Sequence, residues 1–342
     1  MAKTICFGEI MLRLSPPGYE RFFQSPQLQA SFGGGEANVA VSLAGFGCDS
    51  YYVTRLPENP IGDAALKTLR AEGVRTEHIV RGGSRLGIYF AETGAGQRPS
   101  TVVYDRGHSA ISELEPGSIL WQGIFEEAAW FHWTGITPAL SRAASDCTLE
   151  AIQHAKRAGT RISVDLNYRK KLWTEREAQQ TMRRLVPLAD AVIANEEDLQ
   201  SVLGISVPEA DVVSGSLNPA DYRKAAERVV AEYGVKYVAV TLRQSLSASE
   251  NGWSAVLLDA TTKTFFQSQR YQINIVDRIG GGDSFAAALI FGLVTGRSSE
   301  ESLRFAVAAS ALKQTIPGDF NRVSVAEVDR LLAGDASGRV QR

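Results

Sequence analysis

The stretch Asp277-Arg278-Ile279-Gly280-Gly281-Gly282-Asp283-Ser284-Phe285 decides how this chain is read. It runs directly into Ala286-Ala287-Ala288-Leu289-Ile290-Phe291, small and apolar throughout, a pattern that predicts a buried helix. Three glycines at a helix start let backbone N–H groups converge on an anion without side-chain obstruction, and the helix N-terminus adds its positive end. An aspartate immediately after them, Asp283, is placed beside a transferring phosphoryl group, where it accepts a hydroxyl proton. A glycine turn followed by an aspartate helix cap accounts for the same residues locally. The Lys-Ser/Thr of a Walker A loop is absent, and so is the G-x-G-x-x-G spacing of a dinucleotide site.

Upstream of this segment, short apolar runs read as buried strands at Thr4–Phe7, Trp130–Trp133, Arg161–Val164, Ala191–Ala194 and Tyr237–Thr241. Stretches with a 3.6-residue period lie between them at Arg142–Ala158, Glu175–Leu188 and Ala220–Tyr233. This alternation predicts an α/β fold with a mostly parallel sheet and helices on both faces. Two segments depart from the rhythm. Met11–Phe32 carries Pro16, Pro17 and Gly18 before an alternating stretch, and Leu86–Arg106 reads as a hairpin turning at Thr93-Gly94-Ala95-Gly96. Together they predict a small antiparallel sheet, either a lid over the site or an edge decoration. The polar tail Gly334–Arg342 is expected to fray.

Bulk properties narrow the function classes. Hydrophobic residues at 44% and charged residues at 22% exclude disordered and collagen-like classes. A formal net charge of −2 gives no whole-molecule attraction to nucleic acid or an anionic membrane. The chain contains no apolar run long enough to span a bilayer. The N-terminus opens directly into a strand pattern, which favours the cytoplasm. Cys6, Cys48 and Cys147 are expected as plain buried thiols. His78, His108, His132 and His154 lack ligand spacing, which argues against zinc.

DRIGGGDSF resembles the C-terminal signature of the ribokinase-like (PfkB) sugar kinases, usually an Asp-Thr-x-Gly-Ala-Gly-Asp run before a helix. Gly33-Gly34-Gly35-Glu36-Ala37-Asn38-Val39-Ala40 resembles the family's sugar-side motif. The likeness continues through Leu43–Gly47, Ile61-Gly62-Asp63, Glu72-Gly73-Val74 and Asn195, and so covers nearly the whole chain in family order. The resemblance implies a three-layer ribokinase-like fold, with residues 1–342 as one kinase domain and a β-sheet lid from about 11–33 and 86–106. It implies ATP and Mg2+, with a monovalent cation near the loop that carries Asp277. Asp283 is then the base, Gly280, Gly281 and Gly282 the anion hole, and Asn195, Thr241 and Arg243 contacts to the nucleotide. Asp198 stands where the family's Asn-x-x-Glu motif has its acid, and is implied to act on magnesium through water. Arg278 replaces the usual Thr. Ala308–Phe320 is implied to line the adenine pocket.

A narrower likeness lies in FGEIMLRLSPPGYERF, RLGIYFAE, YDRGHSA and VDLNYRKKLW, which resemble 2-keto-3-deoxygluconate kinases. It implies substrate contacts from Gly34, Asn38, Tyr89, Tyr104, Arg106 and Arg169. The chemistry agrees: an arginine fork binds a sugar-acid carboxylate with charge-assisted hydrogen bonds, and tyrosines add hydroxyls and a flat wall. Each residue has a plainer reading. Arg106 beside Asp105 suits a surface ion pair, Arg169-Lys170-Lys171 a solvated cluster, and Tyr89 with Tyr104 cross-strand packing. The alternatives at the level of function are a fructokinase or other neutral-sugar kinase, and a non-catalytic sugar- or nucleotide-binding module. The resemblance further implies a homodimer formed through the lid.

Overall fold

The computed structural model describes residues 1–206 and 219–334. All five expected strands form, as Lys3–Phe7, Ala128–Thr134, Arg161–Asp165, Ala191–Asn195 and Tyr237–Ser245. They are consecutive neighbours in one sheet, in that spatial order. The nine-stranded sheet runs Thr264–Gln267, Glu250–Asp259, Tyr237–Ser245, Ala191–Asn195, Arg161–Asp165, Ala128–Thr134, Lys3–Phe7, Asp49–Val53, with Tyr271–Asn274 also paired to Glu250–Asp259. Pairing is parallel from Tyr237–Ser245 to Asp49–Val53 and antiparallel around Glu250–Asp259.

Both faces of the parallel strands are covered. Cys6, Ala191, Ile193 and Ala239 point into one core, while Ile5, Phe7, Val192, Ala194 and Val238 point into the other. Successive side chains alternate between faces, so a strand buried on both sides reads as an unbroken apolar run. Helices Gly35–Gly45, Gly281–Val294 and Ser299–Lys313 cover the first face. Arg142–Arg157, Glu175–Leu185, Glu196–Leu203 and Pro219–Tyr233 cover the second. These are the three expected layers. The periodic stretch Glu175–Leu188 closes as a 3-10 turn at Val186–Leu188, where Pro187 cannot donate to the helix. Cys6, Cys48 and Cys147 are free and buried, as expected.

The small sheet is real, but its pattern differs from the expectation. Its order is Gln29–Gly33, Met11–Ser15, Gly87–Glu92, Thr101–Asp105. The outer pairs are antiparallel, whereas Met11–Ser15 and Gly87–Glu92 run parallel. Between those two strands the chain forms Gln29–Gly33, then crosses through helix Gly35–Gly45, main-sheet strand Asp49–Val53 and helix Pro60–Ala71, and re-enters in the same direction. The tail expected to fray lies, from residue 335 onward, outside the described residues.

Candidate active site

The parallel pairing ends together at Thr134, Asp165, Asn195 and Thr241, and open sheets of this kind bind ligands beyond those ends. One cleft lies there, under the small sheet, and every site residue expected from the sequence lines it. That includes Gly34, Asn38, Tyr89, Tyr104, Arg106 and Arg169 on one side. Asn195, Asp198, Thr241, Arg243 and the Gly280–Asp283 run occupy the other. The segment Ala308–Phe320 is placed differently. Its alanines are buried in the core, and only Gln314 and Asp319 of it reach the cleft among the described residues.

The three glycines do three different things. Gly280 caps the helix in the left-handed region (φ 81°), and a Cβ there would sit 2.1 Å from the Asp319 carbonyl oxygen. Gly281 donates its N–H to the Arg278 carbonyl at 3.2 Å, so that donor is spent inside the turn. Gly282 faces open space: a Cβ there would meet nothing within 4 Å. The N–H groups of Gly282 and Asp283 belong to the first helical turn, which has no acceptors within the helix. We therefore expect Gly282→Val to fold with an unchanged melting temperature but lose about 10²-fold in turnover. Gly280→Ala should instead unfold earlier. Thermal melts and kinetics on the same preparations check both, and equal destabilisation of the two variants would reduce the glycines to a structural role.

Asp283 is the third residue of its helix, and the cap is Gly280, so its carboxylate is not used for capping. Oδ2 accepts a hydrogen bond from Asn38 Nδ2 at 2.7 Å, while Asn38 Oδ1 accepts the Gly34 N–H at 3.2 Å. Asn38, expected to touch substrate, lines the cleft and also holds Asp283. Gly34 is required by space, since a Cβ would lie 2.0 Å from the Glu9 carbonyl oxygen. Burial pushes the Asp283 carboxyl up to about 6, against the opposing Asn38 hydrogen bond. Behind this helix the buried Glu36 accepts from Thr134 Oγ1 at 2.8 Å and Thr137 Oγ1 at 2.7 Å, a contact the sequence did not announce.

The acidic and basic residues of the small sheet are paired in ways that sequence reading missed. Arg13 bridges Asp277 at 2.7 Å and Asp319 at 2.8 Å, all three buried. The Tyr89 hydroxyl lies 2.6 and 2.7 Å from the two Asp319 oxygens, so its proton is taken, and its ring packs with Met11 and Ala91 at the cleft. Tyr104 stands directly opposite Tyr89, with ring centroids 5.9 Å apart, and its ring lies under the Arg106 guanidinium. Arg106 does not pair with Asp105, which belongs to Arg85 at 2.8 Å. It forms a very close, buried pair with Glu9, whose other oxygen accepts from Ser109 Oγ at 2.6 Å. Arg169 is half-buried, donates to its neighbour's carbonyl at 2.9 Å, and has no acidic ion-pair partner among the described residues.

The profile of the pfkB family carbohydrate kinases matches residues 1–322. The chain belongs to that family. It is 33% identical to a 2-dehydro-3-deoxygalactonokinase of Haloferax volcanii over 98% of each chain. It is 27% identical to a 2-dehydro-3-deoxygluconokinase of Bacillus subtilis over 95% of this chain and 93% of that one. The crystal structure of the 2-dehydro-3-deoxygluconokinase of Thermotoga maritima superposes with a TM-score of 0.94 at 49% identity, covering 98% of this chain and 100% of that one.

In this PfkB kinase the nucleotide side of the cleft is built around a helix start. Asn195 caps Glu196–Leu203, accepting from the Glu197 and Asp198 N–H groups at 2.9 and 2.8 Å. Asp198 completes the capping box toward the Asn195 N–H at 3.4 Å and accepts the Tyr168 N–H at 3.0 Å. The N-x-x-D spacing is itself a capping signature, so this double duty was legible. Thr241 Oγ1 reaches the Ala194 carbonyl at 3.4 Å, and the Arg243 N–H donates to Glu196 at 2.9 Å. Burial pushes Asp198 up to about 6 and Asp165 well above the usual carboxylate range, with Asp198 and Asp283 adding repulsion at Asp165.

Clustered, mutually repelling carboxylates facing a cleft are the hard-oxygen donors that a divalent cation relieves. Among the described residues no three acidic, cysteine or histidine side chains converge as a metal cage. The donors therefore fit a magnesium ion held mainly by phosphates and water, with Asp198 and Asp165 nearby.

Proposed function

We propose that this PfkB kinase transfers the γ-phosphoryl group of ATP to the 6-hydroxyl of 2-keto-3-deoxygluconate. The observation that carries the reading is Asp283, unused as a cap, held by Asn38 at the edge of an open glycine face and in one cleft with Arg169. Asp283 accepts the hydroxyl proton as the oxygen bonds to the γ-phosphorus and the bond to the ADP oxygen breaks. The Gly282 and Asp283 N–H groups and the helix N-terminus stabilise the charge that develops on the phosphoryl oxygens. Magnesium, when bound near Asp198, supplies charge neutralisation of the nucleotide phosphates. Asn195, Thr241 and Arg243 border the nucleotide.

Arg169 reads the sugar carboxylate. Its guanidinium makes no direct ion pair among the described residues and acts on Asp165, Asp198 and Asp283 only at longer range, whereas Arg106 is already paired with Glu9 and offers donors and its stack on Tyr104. Tyr89 supplies a ring face over the sugar. Losing a hydrogen bond to a charged group costs about 1.5–3 kcal/mol, so Arg169→Ala should cut kcat/KM for the acid about 10–150-fold. Residual activity on neutral sugars should change little, and Arg169→Lys should recover only part of the loss. Equal loss on acid and neutral sugars would remove the arginine from carboxylate recognition.

The decisive experiment is coupled ADP release across 2-keto-3-deoxygluconate, its C4 epimer 2-keto-3-deoxygalactonate, fructose and ribose. Preference for the gluconate acid is the expected result, and preference for fructose would transfer the assignment to a neutral-sugar kinase. The absence of turnover on any sugar would leave a binding module. Among the described residues no helix is long and apolar enough to cross a membrane, and the requirement for ATP supports a cytoplasmic site of action. Thr101–Asp105 is an edge strand of the small sheet with one side of its ladder open, which supports pairing of two lids in a homodimer, to be checked by sedimentation.

A further inference from the structure

Lys313 closes the helix Ser299–Lys313 and is 0% exposed, yet no step proposed above uses it. Its ammonium donates to the carbonyls of Asp277 at 3.3 Å, Gly318 at 2.7 Å and Ile279 in a still closer contact. An ammonium has three donors, so its hydrogen bonding is complete without water. The carbonyls come from two segments, 277–279 and 318, that are also tied together by the Gly318 N–H on Asp277 Oδ2 at 3.0 Å. Both segments abut Gly280, whose Cβ position lies 2.1 Å from the Asp319 carbonyl oxygen and 3.3 Å from Lys313 Cε.

Backbone carbonyls converging on one point are how proteins replace the hydration shell of a monovalent cation. The family resemblance implied such a cation at the Asp277 loop. The residues here do not fit one, because the carbonyls of that loop already hold a tethered ammonium. We propose that Lys313 is this enzyme's built-in monovalent cation, a positioning residue that orients the glycine turn for phosphoryl transfer without bound potassium. A trans peptide points its C=O and N–H in opposite directions. With the Ile279 carbonyl on Lys313, the Gly280 N–H is turned away from it, on the cleft side that Gly280 lines. The ammonium thereby fixes the turn that precedes Gly282 and Asp283 and adds positive charge behind it.

The inference rests on the kinase reading for its turnover arm, and a thermal arm stands apart from turnover. Wild-type turnover and melting temperature are compared in KCl and in choline chloride at equal ionic strength, with no difference expected in either. Lys313→Met is one atom shorter and leaves the Nζ position vacant. In choline its kcat should fall about 10–100-fold with little change in KM for the sugar. Potassium or ammonium chloride should restore kcat and raise the variant's melting temperature, because an ion that binds only the folded state stabilises it. A wild-type enzyme whose turnover or melting requires potassium overturns the proposal while leaving the kinase reading intact. Full turnover of Lys313→Met in choline overturns it too, as does a loss that neither ion repairs. If the variant does not fold in either salt, the wild-type comparison decides alone.

Discussion

Asp283→Asn should lower kcat by about 10²–10⁴-fold, the usual worth of general-base catalysis, with ATP and sugar affinity near normal. The amide keeps the volume and can still meet Asn38, so the loss isolates basicity from packing. The wild-type pH profile should carry the same signature. Burial pushes the Asp283 carboxyl up to about 6, so it is protonated below that value and cannot accept the hydroxyl proton. Activity should therefore fall as pH drops through about 6 and level off above it, and the acid limb should disappear from the residual activity of Asp283→Asn. Steady-state kinetics from pH 5 to 8 on variant protein cleared of wild type make the test. Near wild-type turnover in the variant would sink the assignment.

The second large effect concerns stability. Arg13→Met should destabilise the protein by about 3–5 kcal/mol, because it leaves two buried carboxylates without their shared cation. Burial alone would push the Arg13 guanidinium toward the neutral form, and Asp277 with Asp319 more than reverses that, so the charge is held only by the pair. Arg13→Lys should recover little, since one ammonium cannot span bonds of 2.7 and 2.8 Å to two different carboxylates as the fork does. Adding Asp319→Asn to Arg13→Met should restore part of the stability by removing a stranded charge, at the expense of the Tyr89 contact. Urea unfolding of the three variants measures this. A loss below about 1 kcal/mol in Arg13→Met would mean that water reaches the cluster and screens it.

Local features were legible because their physics is local. The two-sided apolar runs fixed which segments became central strands, and the 3.6-residue period placed the helices at Arg142–Arg157 and Pro219–Tyr233. The parallel pair inside the small sheet was misread because alternation reports which face is buried, not the direction in which a strand enters. The edge hairpin of Glu250–Asp259 with its partners escaped notice for a similar reason: it extends a sheet already inferred and adds no new rhythm.

For the site, the sequence alone determined the glycine turn, Asp283 at the head of a buried helix and the set of side chains that border the cleft. The first two depend on backbone freedom and periodicity within a few residues, whereas the set bordering the cleft was implied by the resemblance to PfkB kinases. Only the tertiary structure decided how the charges divide. Arg13 meets Asp319 across 306 positions and Arg106 meets Glu9 across 97, while Lys313 turns onto the carbonyls of Asp277 and Ile279. In sequence each of these is one more charged residue, indistinguishable from a solvated surface group. Burial makes an unpaired charge too costly to keep, so the fold selects partners from distant segments, and that selection pairs Arg106 with Glu9 while Arg169 makes no ion pair among the described residues.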